Sequence, residues 1–342
     1  SGDPETQLAE WLRSGAPTGV AKEITACGIF PLVESKELAA SELAMIAAKT
    51  QVHRNYVSVR DNGEAVRAEL GRLTKARFLS SFASWADLCV EFPHGVVVNK
   101  MAAIIKSKED GSVKLRLITD MLRSGVNSFV RLNERIVLPR LCDAVEATLA
   151  LLELPDTGTG VDVQCEVEMM VSDFSDAFHS MGVHEDERSA QVVADLDGGF
   201  KVYETVVFGG GGSPLVWGRA AAFLARSGQA MYSNDEARIE TFVDDPWSAW
   251  RGPAAVRHRN MAVLLLWWTA LGLDIAWHKV EIGKQVRWIG ADICLPSAHE
   301  VMVVIPEKFR TDLAAEATEM LSEATVSSRR LRKFTGRASW AG

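Results

Sequence analysis

The hydrophobic period of this 342-residue chain changes near residue 100, and that change limits its fold more than any other feature. Through residues 1–95, apolar positions in ELAASELAMIAAK and EAVRAELGRLTKARFLSSFASWADL recur every three to four residues. That spacing predicts a mainly helical N-terminal segment, punctuated at SGAPTG and GIFP. From 101, MAAIIKSKEDGSVKLRLITD holds two alternating apolar runs around an acidic, glycine-containing turn. That is the pattern of a β-hairpin.

Helical spacing returns at 141–153, and VEMMVSDF (167–174) reads as a strand that ends in acids. KVYETVVF (201–208) is a second strand, running into GGGGSP and the helix-like LVWGRAAAFLARSGQAMY. RIETFV reads as a strand, and 253–271 as a helix opened by Pro253. VEIGKQVRWIGADICLP suggests two short strands, and 306–325 a last amphipathic helix. With helices first and mixed strands and helices after, the expected class is α+β.

Composition narrows the context. A hydrophobic content of 47% and a charged content of 24% suit a globular chain with a large core. The longest uncharged apolar run, MAVLLLWWTALGL at 261–273, is too short to cross a bilayer, so no membrane partner is expected. Cys27, Cys89, Cys142, Cys165 and Cys294 are scattered, with no CxxC, which suggests reduced thiols in an intracellular protein that is not secreted. The net charge of −8 argues against a phosphate binder, yet 329–337, RRLRKFTGR, has five basic residues and no acid. Basic residues also outnumber acids between Val98 and Asp143, and such local stripes matter more than the sum.

Two carboxylate positions stand at predicted strand ends: Asp173 in VSDFSDAF, and Asp244-Asp245 in FVDD, 71 positions on. Adjacent carboxylates repel, and a turn has little need of both. A pair of Mg²⁺ ions roughly 3.5–4 Å apart, clamped by carboxylates from separate strands, would explain them. Hard, small Mg²⁺ takes oxygen ligands, which makes Asp the fitting residue type. The plainer reading of VDDP is a solvated acidic turn, and DxxxAF alone occurs by chance in many strand-to-turn segments.

Taken in register, seven segments resemble the polymerase region of a retroelement reverse transcriptase over roughly 98–340. They are KxRLITDxxRSGVN (114–127), SDFSDAFHSMGV (172–183), VVFGGGGSP (206–214), TFVDD (241–245), LGLDIAWHK (271–279), VRWIG (286–290) and LRKFTGRASW (331–340). The stretch WLRSGAPTGV…GIFP (11–31) resembles, less specifically, what precedes that region in some long-terminal-repeat-type polyproteins. The resemblance implies a right-hand polymerase, with fingers at 96–160 and 195–230 and palm at 161–194 and 231–295. A mainly helical leader (1–95) would precede them and a partial thumb or connection (296–342) would follow, in a piece of a polyprotein truncated before RNase H. The implied reaction is RNA-directed addition of dNTPs to a primer 3′ end on an RNA or DNA template, with two Mg²⁺ ions (Mn²⁺ can substitute).

Residue by residue, the resemblance gives Asp173, Asp244 and Asp245 to the metals, with the Phe174 backbone on the metal or triphosphate. Phe178 falls where an aromatic ring under the sugar excludes a 2′-hydroxyl, and Asp176 and Ala177 shape the same pocket. Arg116 would grip the triphosphate, because a guanidinium offers a rigid, permanently charged fork. Lys106 or Lys108 would add a second contact, and Asp120 would prop the arginine or the turn. Phe208 and Gly209 would lie on the nucleotide. Gly209 and Gly212 would let backbone approach base and template, with Ser213 and Pro214 opening the next helix. Lys279 would protonate the leaving pyrophosphate, and Trp288, Ile289 and Gly290 would grip the primer end.

Plainer readings stand beside these: Phe178 and Trp288 as core aromatics, Lys279 as a surface lysine, the hairpin as a solvated basic element. Pro246 departs from the family pattern, because proline suits an edge or a bulge; a shorter hairpin with Asp245 displaced is the expectation. Phe242 replaces a common Tyr, keeping the ring. Two alternatives follow. One is a degenerate fragment acting as a nucleic-acid-binding module; the other is an RNA-directed RNA polymerase, against which Phe178 argues.

Overall fold

The computed structural model describes residues 2–34, 54–107, 113–154 and 166–341. Lys108, Cys165, the hairpin turn and the ELAASELAMIAAK segment lie outside the described residues. The mixture of helices and strands is α+β, as the change of period implies. Strands in chain order are β1 (Leu79–Phe82), β2 (Val98–Ser107), β3 (Val113–Asp120), β4 (Glu166–Val171), β5 (Val192–Ala194) and β6 (Phe200–Tyr203). They continue as β7 (Ala237–Phe242), β8 (Asp245–Gly252), β9 (Glu281–Gly283), β10 (Gln285–Trp288), β11 (Ala291–Ser297) and β12 (Glu300–Val304). Two compact units divide the chain: Ser1–Leu138 with Ser175–Leu224, and Pro139–Phe174 with Ala225–Gly342.

The first unit holds a sheet in the order β1-β6-β5-β2-β3. The expected hairpin forms, with Lys100 opposite Asp120 through to Ser107 opposite Val113. The helix Gly63–Lys75 buries Val66, Leu70 and Leu73 against Met101, Leu117, Val193 and Tyr203. The helical reading of the whole of EAVRAELGRLTKARFLSSFASWADL is corrected here. The helix stops at Lys75, Arg77 takes φ +63°, and Leu79–Phe82 pairs with β6 before a new helix at Trp85–Glu91. Pairing with a strand 120 residues away overrides local spacing, as short strands allow. The strand read at 201–208 is likewise shorter, ending at Tyr203.

Residues 2–34 are pinned to this unit by buried charge. Glu5 and Arg219 pair at 2.5 Å with both side chains 0% exposed, and the Trp11 ring lies 4.4 Å from the guanidinium. Glu187, also buried, accepts from the backbone of Thr18, Ala21 and Lys22. Glu134 accepts from the backbone of Cys27 and Gly28. Each carboxylate satisfies loop N–H groups that would otherwise be stranded away from water.

The second unit holds a sheet in the order β7-β8-β4-β9 and a meander β10-β11-β12. Trp247, Trp288, Met169, Leu151 and Ile293 form its core. Where two strands were expected in VEIGKQVRWIGADICLP there are three, β12 follows, and a helix Ser328–Ala341 lies beyond Glu307–Ser322. Among the described residues, no helix is long and apolar enough to cross a membrane.

Candidate active site

In the second unit, β4 ends at Val171 and the chain stays bonded to the tip of the β7–β8 hairpin. Ser172 N donates to Pro246 O (3.0 Å), and Phe174 N donates to Asp244 O (2.9 Å). Asp173 sits between these two bonds. The register pairs Phe242 with Asp245, leaving Val243 and Asp244 as a two-residue turn. Val243 has φ +55°, a costly conformation for a β-branched residue and one held by the surrounding strands.

Pro246 does not shorten this hairpin or displace Asp245, contrary to expectation. β8 is an interior strand, yet its register continues from Phe242–Asp245 through Thr241–Pro246 on one side and from Val171–Trp247 on the other. The proline still accepts from Ser172 through its carbonyl. It forgoes only its own N–H, at a point where β4 has already ended.

The carboxylates of Asp173, Asp244 and Asp245 form a cluster. Asp245 lies close enough to Asp244 and Asp173 to feel their charge, and Lys279 Nζ donates to Asp173 Oδ2. Burial, then the negative charges of Asp244 and Asp173, push the Asp245 carboxyl up to about 7. Main chain positions Lys279: Ala276 N donates to Asp173 O (2.9 Å), Phe174 bridges Ile275, and Trp277–Lys279 forms a 3₁₀ turn. Phe174 is buried edge-on to Trp268 at 5.2 Å.

Among the described residues, no group of three or more His, Cys, Asp or Glu side chains is arranged to hold a metal ion. The donor set fits a hard divalent cation on chemistry rather than on preformed geometry: its donors are carboxylate oxygens, and burial with neighbouring negative charge drives one carboxyl towards its neutral form, a penalty that a bound cation would relieve.

The β10–β11 hairpin turns at Ile289 (φ +40°) and Gly290 (φ +93°), with Trp288 opposite Ala291. Trp288 is 1% exposed. Its indole N–H donates to Asp245 O (2.9 Å), and its ring lies 5.8 Å from Trp247. Trp288 therefore braces the Asp245 strand from inside, which leaves Ile289 and Gly290 at the tip.

The first unit carries the rest of the sequence-predicted residues. Ala177 and Phe178 are buried in a 3₁₀ turn, Ala177–Ser180, and the Phe178 ring lies 4.7 Å from that of Phe208, which is exposed. Burial alone would raise the Asp176 carboxyl, but the Arg72 guanidinium more than reverses this and holds it below its ordinary value. Lys106 and Arg116 are exposed on β2 and β3. Asp120 does not prop Arg116: it accepts from Tyr56 Oη (2.5 Å) and Arg123 N (3.0 Å), fixing the turn after β3. Asp120, Tyr56, Thr119, Asn127 and Gly209 line an open groove of about 640 Å³.

The glycines owe their identity to the protein itself. A Cβ on Gly209 would lie 1.9 Å from Thr119 O, and one on Gly212 would lie 1.9 Å from Thr18 O. Ser213 is buried at the start of the helix Ser213–Gln229, followed by Pro214, the residue whose missing N–H suits a first turn. Sequence reasoning missed two groups: Arg72, which lies 104 positions from the acid it binds, and His179, although it stands within the quoted SDFSDAFHSMGV.

No family model matches the sequence, and no curated protein matches it. Solved structures do. A foamy viral protease-reverse transcriptase dRH in complex with double-stranded DNA matches at TM-score 0.58 and 15% identity, over 100% of this chain and 50% of that one. A foamy viral protease-reverse transcriptase with double-stranded DNA matches at TM-score 0.55 and 13% identity, over 100% of this chain and 59% of that one. A third, with an RNA/DNA hybrid, matches at TM-score 0.54 and 14% identity, over 100% of this chain and 38% of that one. The chain thus spans between about a third and three fifths of the lengths of these relatives. It has a reverse-transcriptase-like fold.

Proposed function

We propose that this chain is the RNA-directed DNA polymerase core of a retroelement polyprotein, with fingers at 96–160 and 195–230, palm at 161–194 and 231–295, and a partial thumb or connection at 296–342. The observation that carries this reading is the gathering of three acids at one point: Asp173 is held against the Asp244-Asp245 hairpin tip by main-chain bonds and paired with Lys279, in a chain with a reverse-transcriptase-like fold. Asp173, Asp244 and Asp245 would hold two Mg²⁺ ions, which supply a clamp on the attacking and leaving oxygens of an in-line displacement. Lys279 brings a proton donor to that cluster, suited to the leaving pyrophosphate. Phe178, buried against Phe208, gives a ring that leaves no room for a 2′-hydroxyl, so the substrate is a deoxynucleotide. Arg116, with Lys106, offers exposed cations to the triphosphate. Ile289 and Gly290 offer a backbone turn to the primer end.

A second reading, a nucleic-acid-binding module without polymerisation, is favoured by one observation: Lys279 already pairs with Asp173, the carboxylate that a metal would need. Primer extension with Mg²⁺ and dNTPs separates the two, with Asp244→Asn as control. Extension by wild type and none by the variant supports the polymerase. Primer–template binding with no extension by either supports the module.

A further inference from the structure

The turn that carries Phe178 is anchored at both ends by groups that the polymerase reading leaves unused. Asp176 begins it in the left-handed region, φ +49°, which Asp tolerates better than most residues. Within the turn, His179 N donates to Asp176 O (2.7 Å) and Ser180 Oγ donates to Ala177 O (2.6 Å). At its far end His179 is buried, stacked 5.0 Å from Phe78 and 6.1 Å from Tyr203, with Nδ1 2.8 Å from Thr205 Oγ1.

The near end is held differently. Arg72 takes the Asp176 carboxylate in a two-pronged grip, Nη1 to Oδ2 at 2.6 Å and Nη2 to Oδ1 at 3.0 Å. Glu69, one turn earlier on the same helix, fixes the guanidinium through Nε (2.9 Å) and Nη2 (2.8 Å). That helix is itself anchored through buried Val66, Leu70 and Leu73. An isolated surface ion pair is worth little, but a planar fork locked between two carboxylates transmits geometry as well as charge. A ring can exclude a 2′-hydroxyl only if it cannot swing aside, and small misplacements of a selecting group erode selection steeply.

We propose that Arg72 is a positioning residue for sugar selection: its grip on Asp176 holds the Ala177–Ser180 turn so that Phe178 stays fixed as the gate. The inference rests on the polymerase reading above and adds to it a residue from the N-terminal helical segment. Arg72→Met removes the fork, Arg72→Lys keeps the charge without the fork, and Asp176→Asn keeps the shape without the charge.

The test is steady-state incorporation of a dNTP and its matching rNTP by wild type, Phe178→Ala and these three variants, with melting temperatures alongside. Arg72→Met should lower the dNTP-over-rNTP ratio of kcat/KM by about tenfold, chiefly by raising KM for the dNTP and easing rNTP entry. Arg72→Lys should recover part of that loss, and Asp176→Asn should resemble Arg72→Met. A merely structural pair would shift melting temperature and leave the ratio alone. If Phe178→Ala relaxes selection while Arg72→Met and Asp176→Asn do not, this inference is overturned and the polymerase reading stands. If wild type extends no primer, or Phe178→Ala leaves selection unchanged, the gate itself is lost and this inference falls with it.

Discussion

Replacing Asp245 by Asn should stabilise the folded protein in the absence of metal, and the structure sets how much. The Asp245 carboxyl rises from an ordinary 3.8 to about 7, by burial first and then by Asp244 and Asp173. At about 1.4 kcal/mol per pH unit, the full shift would be a ceiling of about 4 kcal/mol. Asp245 is only half-buried, and halving for solvent screening leaves about 2 kcal/mol.

The sign follows from the raised folded-state value. Below about pH 4 the carboxyl is protonated in both folded and unfolded chains, so it costs nothing. Between there and about pH 7 the folded chain keeps a proton that the unfolded chain releases, and stability is lost as pH rises. Above that range the whole penalty is present. An amide carries no such penalty, so at pH 8 the variant should melt about 3 °C above wild type, and at pH 5 the gap should shrink to about half of that.

Mg²⁺ should raise the melting temperature of wild type at pH 8 more than that of Asp245→Asn, because a ligand of the folded state stabilises by mass action. Differential scanning fluorimetry of the full chain at both pH values, with and without Mg²⁺, measures all of this. Equal melting temperatures at pH 8, or a gap that does not change with pH, would refute the charge-cluster reasoning.

Three further outcomes are expected. Glu5→Gln leaves the Arg219 guanidinium buried without its counter-charge, which should cost about 3–5 kcal/mol and speed proteolysis of the N-terminal 34 residues; an unchanged melt and digestion pattern would contradict the buried pair. Gly212→Ala drives a Cβ to 1.9 Å from Thr18 O, so the 209–213 loop must shift, at a loss of about 2 kcal/mol or more; a melt within 1 °C of wild type would mean that the loop yields freely. Primer–template affinity, read by fluorescence anisotropy, should fall at least tenfold between roughly 50 and 200 mM salt if the basic stripes meet phosphates, and a flat response would remove them from the interface.

The elements that were legible in the sequence are those whose signal is local. The β2–β3 hairpin, the 141–152 and 254–270 helices and the strand before Val243-Asp244 each carry their own period and turn residues. Asp173 and Asp244-Asp245 could be read as strand-end acids for the same reason. β1, β9 and β12 were not legible, because a strand of three to five residues is too short to show a period and owes its state to a partner.

What the sequence by itself determined, then, is the alternation of strands and helices and the candidate acids at their ends, since period and turn chemistry act over a few residues. Only the tertiary structure decided that Pro246 is tolerated inside a sheet and that Trp288 faces the core to bond the Asp245 carbonyl. The same holds for Gly209 and Gly212, bare because Thr119 and Thr18 crowd them, and for Arg72 reaching Asp176. Each of these depends on atoms far apart in the chain but packed at contact distance, and no local pattern records which distant backbone or charge will fill that space.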